Sequence, residues 1–130
     1  MTSNASKSLS GLKILVIDDS KTIRRTAETL LSKEGCQVFT AIDGFDALSK
    51  IADHRPDLIF VDIMMPRLDG YETCSLIKHN KTFKETPVIM LSSKDGLVDR
   101  ARGRIVGSEQ YLTKPFTTDE LLGALSNQIN

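Results

Sequence analysis

With 130 residues, 40% apolar and 26% charged, the chain is long enough to bury one core and is composed like an ordinary globular domain. Its 17 Lys and Arg balance 17 Asp and Glu, which argues against a strongly basic nucleic-acid surface or a polybasic membrane face. No apolar run approaches the ~18 residues of a membrane span, and the opening MTSNASKSLSG lacks a signal-peptide core, so the expectation is a cytoplasmic protein with no membrane insertion and no nucleic-acid partner.

Residues 1–10 are small and polar and are predicted to form a disordered tail ahead of one domain over residues 11–130. The first apolar run is Ile14–Ile17, and Asp18 and Asp19 follow it directly. Ser20 is placed to cap a helix in which Ile23, Ala27, Leu30 and Leu31 share a face, with Gly35 as its stop. A weaker run, Val38–Ala41, precedes Asp43–Gly44 and a second helix marked by Phe45, Leu48, Ile51 and Ala52. Leu58–Val61 is a third run, ending at Asp62. After Pro66, Asp69 and Gly70 shape the start of a third helix carrying Tyr71, Cys74 and Ile77. Val88–Leu91 leads to Ser92 and Ser93, and Leu97, Ala101 and Ile105 are read as the apolar stripe of a fourth helix. Tyr111 and Leu112 lead to Lys114 and Pro115, and Leu121, Leu122, Leu125 and Ile129 mark the last helix.

Continuous Ile- and Val-rich runs alternating with short helices predict an α/β fold of five βα units, with a parallel sheet covered on both faces. Crossovers are expected to be right-handed. Cys36 and Cys74 are expected to be reduced thiols, since neither has a cysteine or histidine at ligand spacing.

Parallel strands end on one edge, so Asp18, Asp19, Asp62, Ser92 and Lys114 should converge there, where open α/β sheets bind ligands. Three carboxylates at close range repel, and some would take up protons unless a cation neutralised them. A hard divalent ion with oxygen ligands, Mg²⁺ above all, fits that donor set together with one phosphoryl group. Asp62 is then the natural nucleophile, Lys114 and the metal would neutralise phosphoryl oxygens, and the Ser92 hydroxyl would hydrogen-bond one of them.

The segments VIDDS, VDIMMPRLDG, LSS and YLTKPF, in this order, resemble the CheY-like receiver domain of two-component response regulators. The spacing is the specific part: 43 and 44 residues from the acidic pair to Asp62, 30 from Asp62 to Ser92 and 22 from there to Lys114. The resemblance covers the chain from about Leu12 to Ile129. It implies a doubly wound (βα)5 sheet of strand order 2-1-3-4-5. It implies that Asp62 is the phosphoacceptor, and that Asp19 and the Met64 backbone carbonyl coordinate Mg²⁺ with Asp62 while Asp18 helps through water. It also implies switch residues at Ser92 and Tyr111, a cis peptide at Pro115, and tuning of the phosphoryl lifetime at Met64 and Lys94.

The implied activity is that of a phosphoacceptor signalling protein, not a general enzyme. A chemotaxis-type histidine kinase or its phosphotransfer domain would donate the phosphoryl group. The output would be a change on the face of the fourth helix, fifth strand and fifth helix, read by a protein target. The stretches DDSKTIRRTAETLL and FVDIMMPRLDGY resemble single-domain receivers of chemosensory twitching-motility systems, which makes the type IV pilus machinery a candidate target.

Two other functions fit less well. An aspartate-nucleophile phosphatase usually has a second acid where Met64 stands, and a flavodoxin-like cofactor binder would not lead its phosphate loop with two carboxylates. Arg100, Arg102 and Arg104 read either as a solvated basic face or as an output surface for an acidic partner. His54 and His79, at helix ends, are expected to be exposed.

Overall fold

A computed structural model describes residues 9–93 and 97–129. Among these residues ten elements alternate strictly: β1 Lys13–Ile17, α1 Lys21–Lys33, β2 Gln37–Ala41, α2 Gly44–His54, β3 Leu58–Asp62, α3 Gly70–Lys78, β4 Val88–Ser92, α4 Leu97–Ile105, β5 Gln110–Thr113 and α5 Thr118–Ser126. The five strands are parallel in the order β2-β1-β3-β4-β5. Strand order reverses between β1 and β3, the switch point at which such sheets leave a crevice.

Why the central strands run as they do is visible in their burial. All residues of β3 and β4 are buried, so both side-chain rows face protein and both can be apolar. One row, including Leu15, Ile17, Ile59, Val61 and Met90, packs with α2 and α3 residues such as Ile51, Cys74 and Ile77. The other, including Ile14, Val16, Phe60, Ile89 and Leu91, packs with Leu31 of α1 and Leu121 and Leu125 of α5. The helices therefore form a layer on each face.

Helix starts follow their caps. Ser20 accepts from the Ile23 N–H at 3.3 Å and Asp43 from the Asp46 N–H at 2.8 Å. Asp69 and Glu72 form a reciprocal capping box, as do Thr117 and Glu120. Gly35, at φ +89°, ends α1 in the left-handed region.

Several expectations need correction. The stripe assigned to α4 does not face the sheet: Ala101 is exposed and Ile105 is 82% exposed. The helix packs instead through buried Gly103, where a Cβ would lie 3.0 Å from the Ser108 hydroxyl, and through Val106 just beyond its end. Phe45 of α2 is 55% exposed, and its place in the core is taken by Ala47. His54 is half-buried, stacked on the Phe39 ring at 3.9 Å. Leu9, assigned to the tail, packs against the core, and the Gly11 N–H donates to the Gly35 carbonyl at 2.8 Å. Residues 1–8, Lys94 and the Leu97 side chain, to which the sequence also assigns roles, lie outside the described residues.

Candidate functional site

The chain leaves β1 into a turn that fixes Asp18. Its Oδ1 accepts from the Ser20 N–H at 2.8 Å, and its backbone carbonyl accepts from the Arg24 guanidinium at 2.7 Å. Asp18 is wholly buried, whereas Asp19 beside it is exposed. One residue of the pair is thus built into the fold and the other faces out.

Asp62 is the last residue of β3 and is 2% exposed. Its Oδ1 accepts from the Met64 N–H at 3.4 Å. The loop behind it is closed by the Gly70 N–H, which donates to the Ile63 carbonyl at 3.0 Å. A Cβ at Gly70 would collide with the Asp62 backbone carbonyl, so α3 starts as close behind the acid as a chain without a side chain allows.

Lys114 reaches in from the end of β5. Its Nζ donates to Asp62 Oδ1 at 3.0 Å and to Asp18 Oδ2 at 3.1 Å, and its N–H donates to the Ser92 carbonyl at 2.6 Å. The Lys114–Pro115 peptide is cis. Ser92 ends β4 and is 3% exposed.

Carboxylate oxygens of Asp18, Asp19 and Asp62 all lie within 4.8 Å of one another. One ammonium cannot neutralise three carboxylates. Burial, above all, pushes the Asp62 carboxyl up to about 6; the Lys114 hydrogen bond opposes this and the Asp18 charge adds to it. Burial pulls the Lys114 ammonium down, but the Asp62 hydrogen bond and the two carboxylates outweigh it and hold it above its ordinary value. The three acids, one of them buried and reluctant to ionise, form a candidate cation site. The donors are all oxygens, which fits a hard ion such as Mg²⁺.

A cleft of about 470 Å³ opens beside these groups, with Asp19, Met64, Ser92, Asp69, Tyr71 and Arg102 on its walls. Met64 is 66% exposed at its edge. The five predicted polar residues and Met64 are therefore together on one rim. Tyr111 is not part of that cleft: it lies on β5, half-buried, with the Arg100 guanidinium 4.9 Å from its ring centroid.

Two contributions are not visible in the sequence. Arg67, at φ +67°, pairs with Asp43 at 2.6 Å and ties the loop after β3 to the start of α2. The Asp46 N–H, then the Arg67 charge, hold Asp43 below the usual carboxylate range despite the opposing effect of burial. Arg102, which the sequence places only on a basic helix face, walls the cleft. Neither position shows a periodic or strand-end signal, so only the tertiary structure reveals these contacts.

Comparisons with known proteins identify the family and the fold. The model of the response regulator receiver domain family matches residues 14–126. The chain is similar to protein PilG of Pseudomonas aeruginosa, with 76% identity over 119 residues, 92% of this chain and 88% of that protein. It is 40% identical over 114 residues to the response regulator MprA of a Mycobacterium species, spanning 88% of this chain but only 49% of that protein. Among solved structures, the chemotaxis response regulator CheY4 of Vibrio cholerae superposes with a TM-score of 0.87 at 34% identity, over 92% of this chain and 99% of the other. A BeF3-activated DrrB receiver domain gives a TM-score of 0.81 at 32% identity, over 91% and 97% of the two chains.

Proposed function

The chain belongs to the response regulator receiver domain family, and from that premise we propose that Asp62 accepts a phosphoryl group from a histidine kinase or its phosphotransfer domain. The observation that carries this is the buried Asp62 carboxylate, held 3.0 Å from the Lys114 ammonium and grouped with Asp18 and Asp19. Asp19, Asp62 and the Met64 carbonyl would hold Mg²⁺, with Asp18 acting through water. The bound ion supplies positive charge for the phosphoryl oxygens and offsets that of the carboxylates.

An Asp62 oxygen attacks phosphorus in line. The O–P bond forms as the P–N bond to the donor histidine breaks. The electron pair stays on the imidazole nitrogen, which takes up a proton. Lys114 passes from the carboxylate to a phosphoryl oxygen, and the Ser92 hydroxyl donates to another. The added charge of about −1.5 to −2 biases the fold toward a second arrangement. Tyr111 turns inward as Ser92 moves, and the face of α4, β5 and α5 changes. Moving a population from 1:99 to 99:1 takes about 5.5 kcal/mol, which a few charge-assisted hydrogen bonds can supply.

The resemblance to PilG supports a role in chemosensory control of twitching motility, with a chemotaxis-type kinase upstream and a protein of the type IV pilus machinery downstream. Work of this kind belongs in the cytoplasm. Among the described residues no helix is long and apolar enough to cross a membrane. The protein catalyses its own phosphorylation and dephosphorylation and no other turnover.

With acetyl phosphate and Mg²⁺, the intact mass should rise by one phosphoryl group. Asp62→Asn should stay unlabelled, and chelating the metal should stop labelling of the wild type. Labelling of Asp62→Asn at the wild-type rate would remove Asp62 from the acceptor role.

A further inference from the structure

The cleft over the acidic site has a cation on its outer wall that the phosphoryl chemistry above does not use. Arg102, on α4, places its guanidinium 4.1 Å from the centroid of the Tyr71 ring, on α3. That ring is 5% exposed and belongs to the core, so it is a fixed platform. Arg102 itself is exposed and lines the same cleft as Asp19 and Ser92. Stacking on an aromatic face orients the planar guanidinium without occupying its N–H donors.

The electrostatics make this position consequential. A phosphoryl donor is an anion, and the cleft it enters carries Asp19 and Asp69 on its walls with Asp18 and Asp62 beneath. Lys114 is already committed to Asp18 and Asp62 on the inner side. Among the described residues, Arg102 is the cation on the cleft's wall. Clefts lined by charge focus the local field and change capture rates.

Resting on the reading of Asp62 as phosphoacceptor, we propose that Arg102, held on Tyr71, is a donor-capture residue: it draws anionic phosphoryl donors into the cleft and aligns them for attack by Asp62. Its effect follows donor charge and salt. A competing account is that Arg102 serves the fold alone, by covering Tyr71 and complementing the C-terminal end of α4.

Arg102→Met separates the two, since it keeps an apolar stem over Tyr71 and removes the charge. The measurement is the second-order rate of labelling with dianionic acetyl phosphate and with monoanionic phosphoramidate, at low and high salt with saturating Mg²⁺. Arg102→Met should slow acetyl phosphate labelling by about threefold or more, slow phosphoramidate labelling less, and flatten the salt dependence. Arg102→Lys should recover most of the loss. Wild-type rates in Arg102→Met, or equal slowing with both donors and unchanged salt dependence, would overturn the proposal and leave the structural account. If the wild type itself fails to label, the Asp62 reading falls and this inference with it; if the wild type labels and the variants match it, only the role of Arg102 falls.

Discussion

The two edges of the sheet use the same kinds of residue to opposite ends. At the N-terminal edge, acids finish what the strands leave open. Asp57 Oδ2 accepts from the Lys13 N–H at 2.9 Å, and Glu109 Oε1 accepts from the Val88 N–H at 2.8 Å. The other Glu109 oxygen takes Lys78 Nζ at 2.9 Å, and that ammonium also serves the Thr86 carbonyl at 2.7 Å. At the C-terminal edge, three acids crowd within a few ångströms around one largely covered ammonium. Satisfied polar groups stabilise; crowded ones are held ready for a ligand. The contrast distinguishes carboxylates that build the fold from those proposed to do its chemistry, although all lie at strand ends.

The strongest way to break this contrast is to remove the buried charge at Asp62. In the folded chain Asp62 titrates near 6, against an ordinary value of 3.8. A carboxyl raised in this way favours the folded state fully below about 3.8 and loses that contribution as pH rises through about 6. Ionised Asp62 thus costs the metal-free fold on the order of 3 kcal/mol at neutral pH. Asp62→Asn should be more stable than the wild type at pH 7 by about 2 kcal/mol, the lost charge assistance in the Lys114 hydrogen bond offsetting the rest. The gap should open between roughly pH 4 and pH 6 and narrow when Mg²⁺ is added. Urea unfolding across that range measures it, and a gap independent of pH would show that the charge on the buried Asp62 carboxylate is not the cause.

The converse change belongs at the other edge. Lys78→Met should cost about 1–2 kcal/mol, because the Thr86 carbonyl and Glu109 lose a partner in a largely covered site. Acetyl phosphate labelling should proceed at the wild-type rate. A stable Lys78→Met protein that labels slowly would mean that the two edges are coupled. The smallest effect is expected at Ile105, where an apolar side chain stands out in solvent. Ile105→Ser should shift stability by no more than about 0.5 kcal/mol. A larger loss would restore the sheet-facing stripe that the periodicity suggests.

That stripe marks the boundary of what the sequence makes legible. β1, β3 and β4 are readable because strands buried on both faces cannot hide their apolar runs. The acids, Ser92 and Lys114 are readable because they stand where those runs stop. α4 is misread because its inward contact is Gly103, a residue that contributes nothing to a hydrophobic pattern yet is what lets the helix come close. Phe45 is misread because the Arg67 guanidinium, 5.5 Å from its ring centroid, gives it a surface partner from another loop. Arg67 and Arg102 act through residues 24 and 31 positions away, Asp43 and Tyr71, and no local rule links such pairs.

The bond from Lys114 to Asp18 spans 96 residues, and the one to Asp62 spans 52. Contacts so distant along the chain form only when the intervening units have closed upon one another. On the ribosome, the first three strands can present Asp18 and Asp62 while the lysine that completes the set is still unsynthesised. The ion pairs that tie the acidic rim to β5 therefore form in one step, when the fifth strand joins the edge of the sheet.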